Sequence, residues 1–325
     1  MDVLQAISYL NDLGKAQQKC FFIIDFAMHN IEVWELPHIP HDIAFHFPNC
    51  SVNTEMCQPQ TGVPLQFSSH PVLFEEYKNM FSAAQYHIRR GDTFLLNLTA
   101  STPIESSWQL YDIFSYAKAP YKLFYKNEFV VFSPEPFISM YNNKIYTFPM
   151  KGTIDASEYD AVNTLLNNEK ERAEHATIVD LLRNDMSMVA HNVQVNKYRY
   201  VEKISSLSHT ILQASSCIEG TVHADLQHKI GTVLFSMLPA GSVSGAPKAK
   251  TVDIITDIEH HNRGYYTGVM GYFDGSQLNT AVMIRFIENN NGNMLYKSGG
   301  GITFQSDAMS EYTELIKKIY VPVGN

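Results

Sequence analysis

YYTGVMGYF (265–273), LNTAVMIRFI (278–287) and NMLYKS (293–298) are three successive runs rich in aromatic and β-branched residues, and they read as strands. They lead into Gly299-Gly300-Gly301 and then AMSEYTELIKKI (308–319), whose apolar residues recur at helical spacing. Several strands closed by one helix break the strict βαβ alternation of a parallel sheet, so the segment predicts an α+β fold with antiparallel sheets. On the closing helix Glu311 and Glu314 fall on one side, with Lys318 one turn further along. Glycines without a Cβ let a ligand approach main-chain N–H groups, and two carboxylates a turn apart suit a divalent cation. A small polyanion bound through metal and backbone fits this pattern. A Gly-rich turn before an acidic surface helix stays open as the blander alternative.

The rest of the chain repeats the mixture. Cys20 to Phe26 reads as a buried strand, residues 42–69 as loop or short edge strands, and Val72 to Arg90 as a helix capped at Gly91-Asp92. A strand over Thr93 to Thr99 and a helix over Trp108 to Tyr116 follow. Strands come next at Tyr121 to Tyr125, Phe129 to Phe132 and Phe137 to Phe148, the last turning at Asn142-Asn143. A long helix spans Tyr159 to Ala190, with strands at Val193 to Ile204 and Thr210 to Glu219. Helices at Leu226 to Leu238 and Lys250 to Glu259 flank the segment Pro239 to Lys248.

Length and charge narrow the function. A chain of 325 residues, 45% hydrophobic and 18% charged, supports two lobes or one large layered domain. A net charge of −9 argues against a nucleic-acid surface. The four cysteines (Cys20, Cys50, Cys57, Cys217) lack CxxC spacing and suit reduced thiols. With no signal-peptide pattern near Met1 and no apolar run of about 20 residues, a cytoplasmic protein without a membrane partner is expected.

Five further features carry chemistry. Glu174 and Asp185 bracket an apolar stripe of the long helix, where carboxylates need a metal or a cation unless they form a solvated rim. Lys151, after a strand and before Gly152, can lose its proton by desolvation and act as nucleophile or base; an exposed loop lysine is the alternative. Glu135, between Pro134 and Pro136, is a general-acid candidate if buried and a surface turn otherwise. The segment Gly241 to Lys248 departs from a Walker A loop and reads as a tight turn opening a helix. Arg285, directly after an apolar run, calls for an anionic partner, either a ligand carboxylate or an internal salt bridge.

Taken together, SPE (133–135), PMKGT (149–153), EKERAEH (169–175) with VDLLRND (179–185), PAGSVSGAPK (239–248), RGYYTGVMGY (263–272), Ile284-Arg285 and GGGI (299–302) with SEYTE (310–314) resemble the chorismate-utilising enzymes. That family includes anthranilate synthase component I, aminodeoxychorismate synthase component I, and isochorismate and salicylate synthases. The resemblance runs from about Phe74 to the C-terminus. It implies a large two-lobed α+β sandwich of mostly antiparallel sheets flanked by helices, with residues 1–70 as a short N-terminal region and 71–325 as the catalytic domain. It further implies Mg²⁺ on Glu174 and Glu314, with Glu311 assisting through water. Substrate carboxylates would meet Arg285, Tyr266 and the backbone of Gly299, Gly300 and Gly301, with Lys318 close by. Ser242 stands where Thr is usual, and His209 matches a histidine near the substrate ring.

Lys151 resembles the aminodeoxychorismate synthase group, since the other groups generally carry Ala there. Leu95 stands where isochorismate-type enzymes have a water-activating Lys and amine-adding ones a Gln, and Phe286 stands where Thr or Ser is common. The likeness implies amination of chorismate through a Lys151 adduct, with Glu135 as acid and ammonia from a glutamine amidotransferase subunit. Anthranilate synthase component I is the rival within the family, and a non-catalytic chorismate-binding or amidotransferase-activating subunit the rival outside it. No tryptophan-binding segment is recognisable.

Overall fold

Two sheets, each of nine strands among the described residues, face one another in a computed structural model that describes residues 1–55, 64–205 and 210–323, and every strand pairing is antiparallel. The first sheet runs, in spatial order, Met150–Asp155, Thr210–Val222, Lys144–Thr147, Pro136–Tyr141, Leu278–Val282, Val269–Phe273, Cys20–Ile24 and Ile31–Glu35. Strand Ala190–Ser205 also pairs with Thr210–Val222. The second runs Gly245–Ala246, Leu95–Ser106, Asn293–Thr303, Phe286–Asn290, Phe129–Ser133, Tyr121–Tyr125, Ile43–Phe47 and Cys50–Val52, with Phe67–Ser69 on Leu95–Ser106. This is the expected α+β sandwich. Residues before 71 add strands to both sheets.

Aromatic and aliphatic side chains fill the gap between the sheets: Phe21, Phe45, Val131, Met270 and Phe286 are buried there, with the Phe21 and Phe45 rings stacked at 4.1 Å. Each such side chain contributes roughly 1.5–3 kcal/mol by leaving water. The outer face of the first sheet is covered by helices Val3–Lys15, Glu169–Ser187 and Ile230–Met237, and that of the second by Phe74–Arg90, Lys248–Ile258 and Ala308–Lys317.

Two elements differ from the sequence reading, each for a local reason. The helix expected over Tyr159 to Ala190 is two, Ala161–Asn167 and Glu169–Ser187. Asn168 leaves helical geometry and its side chain accepts the Glu171 N–H, so it caps a new helix. The strand expected over Leu278 to Ile287 is also two. Val282 ends a strand of the first sheet, Phe286 begins one of the second, and Arg285 between them has φ +53°. The hairpin expected within Phe137 to Phe148 is present: Pro136–Tyr141 and Lys144–Thr147 join at Asn142 and Asn143, both with positive φ as a tight hairpin requires.

These changes of sheet place the site. Phe129–Ser133 and Pro136–Tyr141 also lie in different sheets, so the chain crosses at Pro134-Glu135, beside the crossing at Met283 to Arg285. The two crossings are laced together: Phe132 N–H donates to Arg285 O at 3.1 Å and Val282 N–H to Glu135 O at 3.0 Å.

Candidate active site

Glu135 sits at the first crossing with its carboxylate accepting from Ser242 Oγ at 2.5 Å. Burial pushes its pKa up, against the hydrogen bond from Ser242 and the charges of Lys151, Arg285 and Lys318. A buried acid with a raised pKa is what proton donation near neutrality requires. Ser242 is delivered by the Pro239 to Lys248 segment, which an internal clamp fixes. Arg263, buried, donates through Nε and Nη2 to both oxygens of Glu259 at 2.8 and 2.7 Å, through Nη1 to Val243 O at 2.8 Å and through Nη2 to Asn97 O at 2.5 Å. Glu259 also accepts Thr99 N–H at 2.8 Å. Ser244 to Ala246 thereby lies along strand Leu95–Ser106.

Arg285 meets the ring of Tyr320 at 5.4 Å, and among the described residues no carboxylate lies at ion-pair distance from it. Its Nε is buried with no hydrogen-bond partner. A buried unsatisfied guanidinium donor suits a ligand anion, not an internal salt bridge. Tyr266, buried, lies close enough for its phenol to feel the charges of Arg285 and Glu135, and burial raises its pKa.

Lys151 lies inside a strand, at a bulge where the register with Thr210–Val222 shifts between Met150 and Thr153 and Gly152 takes φ +84°. The bulge turns its side chain across to the second sheet. A Cβ on Gly301 would stand 3.0 Å from Lys151 Nζ and 3.3 Å from a Leu95 methyl, so this glycine leaves room for the ammonium. The expectation that desolvation strips Lys151 of its proton is corrected. Burial does pull it down, but Glu174, Glu314, Glu171 and Glu135 outweigh that and hold it charged.

Glu174, from the helix Glu169–Ser187, and Glu311 and Glu314, from Ala308–Lys317, meet beside Lys151. Lys151 Nζ stands 3.7 Å from Glu174, and Lys318 Nζ 2.7 Å from Glu314 and 2.8 Å from Gly299 O. Gly300 faces Glu311, Glu314 and Lys318, each 3.5 to 3.9 Å from where its Cβ would be. Lys170, one turn before Glu174, lies between the two helices, 2.6 Å from Glu311 Oε1 and 3.8 Å from Glu174 Oε1. Burial raises the Glu174 pKa despite Lys151, whereas at Glu314 the pull of Lys318 beats burial and the pKa is lowered.

Glu174 Oε1 is buried with no hydrogen-bond partner. An orphaned hard oxygen among carboxylates suits Mg²⁺. Among the described residues, however, no three acidic, His or Cys side chains stand close enough together to hold a metal, the lysines lying between them.

Asp185, the other carboxylate of the stripe, pairs with Lys248 at 2.8 Å, and Lys248 also donates to Met237 O at 2.6 Å. It is anchored, which answers the question its position raised. His209 lies outside the described residues. Lys170 and the Arg263–Glu259 clamp were not singled out from sequence, although Lys170–Glu174 and Glu259–Arg263 both carry i,i+4 spacing that could have found them.

The chain matches the family model of the chorismate binding enzyme over residues 38–323. An uncharacterised PabA-like protein of Pasteurella multocida is 45% identical over 318 residues, covering 98% of each chain. Aminodeoxychorismate synthase component 1 of Escherichia coli is 32% identical over 262 residues, covering 75% of this chain and 56% of that protein. The crystal structure of anthranilate synthase component I from Streptococcus pneumoniae superposes with a TM-score of 0.64 at 30% identity, covering 79% of this chain and 59% of that one. The paired crossings, the glycine strand and the two carboxylate-bearing helices thus belong to a member of the chorismate-binding enzyme family.

Proposed function

We propose that this chain is an aminodeoxychorismate synthase component I, replacing the C4 hydroxyl of chorismate with ammonia to give 4-amino-4-deoxychorismate. The observation that carries the reading is Lys151, whose Nζ spans the gap between the sheets to reach Gly301, with Glu135 half-buried at the neighbouring crossing. The similarity to the Escherichia coli enzyme supports it.

Two steps keep atoms in balance. Neutral Lys151 Nζ bonds to C2, the ring double bonds shift, and the C4 oxygen leaves as water with the proton of Glu135. Ammonia then bonds to C4 and Lys151 departs from C2. Covalent catalysis divides one hard substitution into two easier ones. The surrounding carboxylates hold Lys151 as the ammonium, and burial disfavours the Glu135 carboxylate. A proton passing from the first to the second leaves the amine and the acid that the first step needs.

Arg285, Tyr266, Ser242, Lys318 and the amides of Gly299, Gly300 and Gly301 would position the carboxylates. Glu174 and Glu314 would hold Mg²⁺, with Glu311 acting through water. Bound there, the ion supplies positive charge that polarises the ring carboxylate. Leu95, buried on the same wall, offers a water molecule no base, which favours amination over hydration. The ammonia would come from a glutamine amidotransferase subunit in the cytoplasm.

A second reading, anthranilate synthase component I, is favoured by the likeness to the Streptococcus pneumoniae structure. The test is product analysis by mass spectrometry after incubation with chorismate, MgCl₂ and ammonium chloride. We expect an amino product that keeps its enolpyruvyl group. Anthranilate with released pyruvate would support the second reading, and chorismate bound but unchanged would leave a non-catalytic subunit.

A further inference from the structure

We propose that Lys170 is a tethered counter-cation in the carboxylate cluster, which a divalent cation must displace, so that Lys170 sets the affinity for the metal. The inference rests on the reading of Glu174 and Glu314 as the metal-binding pair. Lys170 Nζ bridges carboxylates from two helices, at 2.6 Å from Glu311 Oε1 and 3.8 Å from the orphaned Glu174 Oε1. An ion joining those helices needs the same oxygens.

Exposure is unequal within the cluster. The Lys170 side chain is 30% exposed, whereas those of Glu174 and Glu311 are 7% and 2% exposed. The lysine, on its flexible four-carbon stem, can swing into solvent while the carboxylates stay. Charge points the same way. Glu174, Glu311 and Glu314 are already matched by Lys151, Lys170 and Lys318. A divalent ion entering with all three lysines in place would leave a part-buried excess of positive charge, which is costly. Releasing Lys170 removes part of that excess, and a dianionic substrate removes the rest.

The test is calorimetric titration of MgCl₂ into the full chain. Lys170→Met keeps most of the apolar stem and deletes the charge, and it should bind Mg²⁺ about tenfold tighter, about 1.4 kcal/mol. Lys170→Arg keeps a cation there and should bind no tighter than wild type, which serves if the Met variant folds poorly. Glu174→Gln should bind at least about tenfold more weakly. If Glu174→Gln weakens binding while Lys170→Met matches wild type, or if Lys170→Arg binds tighter than wild type, the proposal for Lys170 is overturned and the metal reading stands. If Glu174→Gln binds as wild type, the metal reading fails and takes the proposal with it.

Discussion

Glu174 and Asp185 occupy one face of the same helix, about three turns apart, and both are buried, yet their surroundings differ in kind. Asp185 has a close partner, Lys248 at 2.8 Å, which ties the helix to the loop carrying Ser242. Glu174 has only looser ones, Lys151 at 3.7 Å and Lys170 at 3.8 Å, while each acid keeps one buried oxygen outside any hydrogen bond. Burial alone therefore does not distinguish structural from chemical carboxylates. The tightness of the cationic partner does: the carboxylate held at 2.8 Å anchors the scaffold, and the one with partners only at 3.7 and 3.8 Å is set for a ligand.

Substituting each acid by its amide separates the two. Glu174→Gln should fold as wild type and lose at least about a thousandfold in Mg²⁺-dependent turnover, the scale of several kcal/mol that a metal ion supplies. Asp185→Asn strands the Lys248 ammonium and should cost about 3 kcal/mol in urea unfolding, with kcat of the folded fraction largely kept. Full activity in Glu174→Gln would erase the distinction. So would an Asp185→Asn protein as stable as wild type.

Glu135 extends the comparison to an acid held by a hydroxyl. Glu135→Gln retains the shape but has no proton to give, so chorismate binding should persist while turnover falls about 100-fold. Because burial raises the Glu135 pKa and the acid form is the active one, wild-type turnover should decline as pH rises through that pKa. Equal turnover of variant and wild type at every pH would move the acid elsewhere.

Much of this was legible in the chain. Strand runs that break strict βαβ alternation foretold antiparallel sheets, and the Asn142-Asn143 hairpin stands where its residues put it. What the residues could not convey was the change of sheet. Leu278 to Ile287 reads as one strand, yet Arg285 in the left-handed region sends its two halves into different layers. Periodicity reports which face is buried, not which sheet buries it. Lys151 was legible as a candidate but not its charge, because the carboxylates that hold it protonated are remote in sequence.

His175 supplies a smaller contrast, next to Glu174 but facing the first sheet. Its Nε2 lies 2.6 Å from Ser216 Oγ, and burial lowers its pKa from 6.5 to about 4. A histidine kept neutral by folding is stabilising at high pH and loses that contribution as acid protonates the unfolded chain. Between pH 7 and 5 the fold should weaken by about 2 kcal/mol on this account. Urea midpoints of wild type and His175→Gln at the two pH values check it: the variant should lack this part of the pH dependence, and parallel losses would refute the assignment.

The most direct measurement is the intact mass of the protein mixed with chorismate and MgCl₂ without ammonia, followed by peptide mapping. We expect a covalent species heavier by chorismate less one water, located on Lys151, absent from Lys151→Ala and discharged when ammonium is added. An adduct mapped to Lys170 or Lys318, or amination with no adduct at any time, would contradict it.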